Sequence, residues 1–139
     1  MSTLVPGKHH PALDLEPELR VEYATIVGAL VGADHRVDKT ELAVLRELCD
    51  TLELAEANAD EVMKHARQGD DAPPAPHMTR FTKPDINHAI VIDAVDIIYA
   101  DREITDEELH QVDALAHKVG VPSGEVVLIR RYIQSRRDN

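Results

Sequence analysis

Two aspartates, Asp93 and Asp96, interrupt the most apolar segment of the chain. They are three positions apart, so a helix would carry both carboxylates on one stripe of its surface. A buried carboxylate has to be paired, protonated or bound to a cation, because burial disfavours an isolated charge. Together with Asp101, just beyond the segment, they predict a divalent cation site. The alternative is an ion pair with Arg130 or Arg131 of the last predicted helix.

A second set of carboxylates recurs as two similar pairs, and its members are Asp34, Glu41, Asp101 and Glu108. Carboxylate oxygens are ligands that Ca²⁺ or Mg²⁺ prefers, which makes these positions a second choice for the cation. The alternative is architectural. A glutamate three residues after an N-cap Asp or Thr completes a capping box, and aspartates in loops accept hydrogen bonds from backbone N–H groups. The order of ligands in an EF-hand, with its central glycine, is absent.

The remaining candidates for metal or acid–base chemistry are weaker. His110, Asp113 and His117 follow helical spacing that would suit Zn²⁺ or Ni²⁺, but a solvated helix face is the preferred interpretation. The chain has no glycine-rich phosphate loop, no H-E-x-x-H motif and no nucleophile with a base beside it. We therefore expect no enzymatic activity and no catalytic residue, with a carboxylate-based hydrolase as a remote alternative.

The C-terminal segment is basic in an otherwise acidic chain. Four arginines, together with Tyr132 and Ile133, predict a contact for an acidic protein partner or for anionic lipid headgroups; they are Arg130, Arg131, Arg136 and Arg137. The alternative is that this segment folds back onto the acidic region between Asp85 and Asp113, which carries nine carboxylates and one arginine. The sequence leaves both interpretations open.

Composition narrows the class of protein. The 139 residues suffice for one globular domain, and the formal net charge of −11 argues against nucleic acid or an anionic membrane as the main partner. No apolar run is long enough for a membrane span, and no signal peptide is evident, so we expect a cytoplasmic protein without direct membrane insertion. The lone cysteine, Cys49, is expected to be a small buried apolar residue. The oligomeric state stays open.

The chain also contains an internal repeat. The segment from Ala33 to Leu42 recurs about 67 positions later, from Ala100 to Leu109, and apolar residues continue to match beyond it. Such agreement predicts a duplicated helical unit. At this offset Asp93 and Asp96 correspond to Ile26 and Ala29, so the fold itself does not require acids at this stripe.

Helical periodicity, caps and breakers predict an all-α fold of six to seven helices in two helical hairpins, each followed by a third helix. Residues 1–14 are expected to form a flexible arm, and residues 15–139 a single helical domain. Within the domain we predict a first half over residues 15–69, a proline-rich linker over 70–80 and a second half over 81–137. Gly28 is predicted to allow close helix approach, and Gly120 to end a helix.

The doubled motif, followed by a turn into a further helix, resembles the TerB family of tellurite-resistance-associated proteins. The likeness spans about residues 18 to 135, and its matching residues are Ala33, Asp34, Val37, Glu41, Ala100, Asp101, Ile104, Glu108, and Leu115 to Val121 ahead of Pro122. The sequence departs from the family pattern where His35 and Arg102 replace the usual glycine after the aspartate.

The resemblance implies an all-helical domain with an internal pseudo-two-fold axis. It also implies a non-enzymatic part in the bacterial response to tellurite, other metals or oxidative stress, with divalent cations bound on an acidic face and with membrane-linked protein partners. A metal-free scaffold domain that docks a basic partner is the first alternative to this function.

Overall fold

The computed structural model describes residues 10–29, 39–68, 84–100 and 106–138. These residues form six α-helices and no strands, as the periodicity predicts. A short 3₁₀ turn, Pro11–Asp14, precedes them. The helices are α1 (Pro17–Gly28), α2 (Lys39–Thr51), α3 (Glu56–Gln68), α4 (Pro84–Ile98), α5 (Asp106–Lys118) and α6 (Ser123–Asp138). None of the described helices is long and apolar enough to cross a membrane.

The helix boundaries follow the internal repeat. α1 and α4 both begin at a proline, Pro17 and Pro84, which lie 67 residues apart. Proline suits the first turn of a helix because the backbone N–H that it lacks would have no partner there. The same offset of 67 residues separates the first residues of α2 and α5, and those of α3 and α6. Each helix of the first half therefore has a counterpart in the second.

The core is centred on α4, which packs against α1, α2, α5, α6 and the 3₁₀ turn. This helix is buried almost throughout, in keeping with its apolar sequence. Gly28 provides the predicted close approach on the other side of the core. A Cβ atom there would lie 3.1 Å from Leu45 Cδ2 and 3.7 Å from the Ala66 Cβ, so α1 meets both α2 and α3 at this point.

The expected flexible arm is wrong for its last five residues. Residues 10–14 are ordered by the 3₁₀ turn, and both His10 and Ala12 are buried against the core. The physical reason is a polar anchor at His10, described below. Residues 1–9 and the predicted linker over 70–80 lie outside the described residues.

Two equivalent turns follow α2 and α5. The Leu54 N–H donates to the Cys49 carbonyl at 3.2 Å, and the Val121 N–H donates to the Ala116 carbonyl at 2.8 Å, which is the Schellman pattern in both cases. Gly120 has a φ of 80°, as its predicted position after the helix requires. Its counterpart is Glu53, which adopts a φ of 57° in spite of its side chain.

This difference gives a first prediction. Replacing Glu53 with glycine should raise the free energy of unfolding by about 0.5 to 1 kcal/mol, because glycine removes the steric cost of the left-handed conformation. Urea denaturation followed by circular dichroism measures the change. Gly120→Ala is the matched variant at the equivalent turn, and it should lower the same free energy by about 1 kcal/mol. If both substitutions change the free energy of unfolding in the same direction, this explanation is wrong.

Candidate functional site

The most distinctive polar feature of the core is the environment of Asp93. Asp93 lies on α4, and the residue is only 6% exposed. The Asp93 Oδ2 atom accepts a hydrogen bond from the Tyr23 hydroxyl at 2.6 Å and lies 2.9 Å from His10 Nε2. The first distance is typical of a hydroxyl donating to an ionised carboxylate. One buried acid is therefore held by Tyr23 of the first half and by His10 of the segment that precedes it.

The hydrogen bonds of His10 define which nitrogen carries its proton. Its Nδ1 atom accepts from the Ala12 backbone N–H at 3.0 Å, so this nitrogen has no hydrogen of its own. The hydrogen of a neutral imidazole then lies on Nε2, which donates to Asp93. Both nitrogens are occupied, and this histidine is available neither as a general base nor as a metal ligand.

Tyr23 completes the cluster. Burial raises the pKa of its hydroxyl well above the usual value of 10.0, and the negative charge and hydrogen bond of Asp93 raise it further. The hydroxyl therefore stays protonated and remains a donor at neutral pH. The rings of His10 and Tyr23 meet edge to face, with 5.6 Å between their centroids. We call His10, Tyr23 and Asp93 the polar cluster.

The ion pair with Arg130 or Arg131, the alternative predicted for Asp93 and Asp96, is not formed by Asp93. The Arg130 Nε atom instead donates to the Tyr99 hydroxyl at 3.3 Å, and Arg131 is exposed. Hydrogen bonds from His10 and Tyr23 stabilise the Oδ2 atom of this carboxylate in place of a buried guanidinium.

Asp93 and Asp96 line one small pocket between α2 and α4. Asp96 is 7% exposed, and Glu47 and Thr51 of α2 contribute further polar side chains to the pocket. The structure thus brings two of the three predicted cation ligands together, as their spacing requires. The third, Asp101, lies outside the described residues. Among the residues that are described, no three metal-binding side chains are grouped around a common point.

Of the carboxylates predicted as the second choice for a cation site, some are buried and the others lie outside the described residues. Glu41 and Glu108 are both buried in the first turn of their helices, at equivalent places in α2 and α5. Asp34 lies outside the described residues, as do Asp38 and Thr105, the residues predicted from the sequence to be the N-caps of α2 and α5. Binding of Ca²⁺ or Mg²⁺ at these carboxylates stays a prediction.

The α5 histidines lie at the surface, and the cysteine lies in the core. His110, Asp113 and His117 are all exposed, in agreement with a solvated helix face. Cys49 is fully buried, also as expected, and burial is the main reason that the pKa of its thiol rises to about 11. A neutral, buried thiol is a poor nucleophile.

The outer face of α6 is the second distinctive feature. Its inner face packs on the core through Val126, Ile129 and Ile133. Its outer face leaves Val127 40%, Leu128 63% and Tyr132 51% exposed. Within the described part of the chain, these three are the exposed large hydrophobic residues. We call Val127, Leu128 and Tyr132 the α6 apolar patch.

The internal repeat supplies a direct comparison for this patch. At the offset of 67 residues its members correspond to Asp60, Glu61 and His65 on α3. These residues are hydrophilic: Asp60 forms an ion pair with Arg46 at 3.2 Å, and the Glu61 carboxylate lies 3.8 Å from the His65 imidazole. The inner face, by contrast, is buried and apolar in both helices. The fold therefore accepts polar residues at the outer positions.

Arginines flank the α6 apolar patch. Arg131 is exposed and makes no ion pair with any residue that the structure describes. The Arg136 guanidinium lies 5.7 Å from the centre of the Tyr132 ring, a cation–π distance. Arg130 is half-buried, and the side chain of Arg137 is outside the described residues. Of the predicted partner-binding arginines, Arg131 and Arg136 therefore border the patch.

Sequence reasoning missed His10 and Tyr23 in the polar cluster and Val127 and Leu128 in the patch. A buried acid requires hydrogen-bond donors, so a tyrosine in the apolar stripe of α1 was a signal that could have been used. For the patch, the usable signal was a comparison of α3 with α6 position by position.

Comparison with known proteins adds no further assignment: no family model, curated protein or solved structure matches this chain.

Proposed function

We propose that this chain is a non-enzymatic protein-binding domain that contacts its partner through the outer face of α6. The observation that carries the proposal is the exposure of Leu128 and Tyr132 beside Arg131. Apolar side chains that remain in water on one helix, next to arginines, have the composition of an interface centre, where Tyr and Arg are enriched.

The internal repeat distinguishes the residues of α6 that folding requires from those that we assign to binding. α3 and α6 share their buried face, and the fold needs this face in both halves. They differ on the outer face, where the first half has Asp60 and Glu61 and the second has Val127 and Leu128. The exposed part of an apolar side chain gives the isolated domain no burial energy. Its presence in one half alone is therefore better explained by a partner than by stability.

The absence of enzymatic activity is supported by the polar cluster. A general base needs a nitrogen or oxygen that can reach a substrate. In His10 both nitrogens are engaged, one by Ala12 and the other by Asp93. The cluster has the residue types of a catalytic site, but its hydrogen bonds are directed inward and give it a structural role.

The proposal that the chain is a TerB-like domain depends on the sequence motif. A TerB-like domain of two pseudo-two-fold-related helical hairpins is supported by the doubled motif and by helix starts that repeat every 67 residues. A part in the bacterial response to tellurite or metal stress would follow from this resemblance. Protein binding through α6 does not depend on it.

The test is site-specific photo-crosslinking in the cells that naturally express the chain. A photoreactive amino acid at Leu128 should give adducts with one or a few proteins, identified by mass spectrometry, because this position lies inside the proposed interface. The matched control places the same amino acid at Glu61, the equivalent and equally solvent-facing position on α3. Adducts at Leu128 that neither exceed those at Glu61 nor disappear in an Arg131→Glu background would refute the proposal.

A further inference from the structure

The chemistry of the α6 surface also specifies the kind of partner. Resting on the proposed function, we infer that the α6 apolar patch binds an amphipathic helix whose apolar stripe is flanked by glutamates or aspartates. The juxtaposition that carries this inference is an apolar row, Leu128 and Tyr132, with the cations Arg131 and Arg136 beside it.

The spacing of the patch fits a helix. Leu128 and Tyr132 are four residues apart, so they form one ridge along the axis of α6. Ridges of this kind pack into the grooves between side chains of a second helix. Two apolar side chains one turn apart match the i, i+3, i+4 anchors with which an amphipathic helix binds a partner surface.

The positive charges of Arg131 and Arg136 indicate that the partner is acidic and how it is oriented along α6. The apolar residues begin at Val127, while the exposed arginines occur later, at positions 131 and 136. The partner's acids should therefore lie toward the C-terminal end of α6. Arg131 has no ion pair with another described residue, so binding an acid there breaks no existing ion pair. Opposite charges across an interface favour the correct partner and its register.

The overall charge argues against two other occupants. A net charge of −11 opposes approach to an anionic membrane, and the patch offers few cations to overcome this repulsion. A second copy of the chain carries the same negative charge. A symmetric pairing of two α6 helices would also place Arg131 near its own equivalent, and like charges at an interface are unfavourable.

Two synthetic helical peptides of about 18 residues, long enough to present four or five turns of helix, provide the test. They share the same leucine stripe, but one has glutamates and the other lysines at the flanking positions. Fluorescence anisotropy with the full chain measures both affinities at low and at raised salt. The glutamate peptide should bind about 10-fold more tightly than the lysine peptide, which corresponds to about 1.4 kcal/mol from two rim charge pairs. Raised salt should reduce this preference.

The comparison is stringent because non-specific attraction acts in the opposite direction. A chain with a net charge of −11 attracts the lysine peptide, so a preference for the glutamate peptide has to arise locally. Arg131→Glu combined with Arg136→Glu should reverse the preference between the two peptides. Leu128→Glu should weaken the binding of both peptides. All three positions are exposed, and unchanged thermal unfolding will confirm that the variants are folded.

Three results would overturn the inference. If the lysine peptide binds as tightly as the glutamate peptide or more tightly, the arginines do not select an acidic partner. Leu128-dependent binding to vesicles of phosphatidylcholine and phosphatidylglycerol assigns the surface to a membrane, and Leu128-dependent dimers in light scattering assign it to a second copy. If Leu128 crosslinks a protein in cells but the acidic peptide fails, the protein-binding function stands and only this partner class is wrong.

Discussion

Asp93→Ala is expected to lower the free energy of unfolding by about 3 kcal/mol, the cost typical of breaking a buried charged contact from one side. The variant leaves the Tyr23 hydroxyl and the His10 Nε2–H buried without their common acceptor. Each unsatisfied donor costs about 1 to 3 kcal/mol, and relief of the buried charge offsets a part of this sum. Urea denaturation followed by circular dichroism at neutral pH provides the measurement.

Two further variants show whether the loss arises from the polar cluster. Asp113→Ala removes an exposed carboxylate from α5 and should change stability by less than about 0.5 kcal/mol. Tyr23→Phe keeps the packing but removes one donor, and should cost about 1 kcal/mol in the wild type and much less in the Asp93→Ala background. Additive effects of the two substitutions would show that Tyr23 and Asp93 are not coupled.

Leu45→Ala is the second substitution with a large expected effect, again about 3 kcal/mol. Leu45 is fully buried, and its methyl groups fill the space left open by the missing side chain of Gly28. Because α1 and α2 meet here, truncation leaves a cavity between two helices that the backbone cannot easily close. The same denaturation experiment measures the loss.

Leu128→Ala is the matched control, since it makes the same chemical change on the exposed face of α6. It should alter the free energy of unfolding by less than about 0.5 kcal/mol. A loss comparable to that of Leu45→Ala would mean that Leu128 supports the fold, and the α6 apolar patch would no longer indicate a partner. The pair of variants therefore tests stability and the proposed interface in one experiment.

Local sequence signals predicted the helices well. Helical spacing, the proline in the first turn of α1 and the glycine after α5 are short-range features, and helix boundaries depend mainly on such features. The sequence predicts a short helix over about Glu56 to Gln68, and α3 spans these residues. Glu53 shows the limit: it occupies a left-handed position that a glycine fills in the other half, and no local rule would place a glutamate there.

The surroundings of Asp93 were predicted only in part. That it would be buried followed from the apolar residues around it, and the structure confirms this. Its partners did not follow, because they are 70 and 83 residues away along the chain, and no spacing rule applies over such distances. The last helix is a similar case. Periodicity identified it, but only the packed structure distinguishes buried Ile133 from exposed Tyr132.

The polar cluster has a consequence for how the two halves recognise each other. The acid, Asp93, belongs to the later half, whereas Tyr23 belongs to the earlier half and His10 lies in the segment that precedes it, so the contact forms only between unlike halves. Two earlier halves docked together would leave hydroxyl and imidazole donors without an acceptor, and two later halves would bring aspartates into an oily interior with no donor from Tyr23. The polar cluster therefore selects the pairing of an earlier half with a later half, and it opposes the pairing of two like halves.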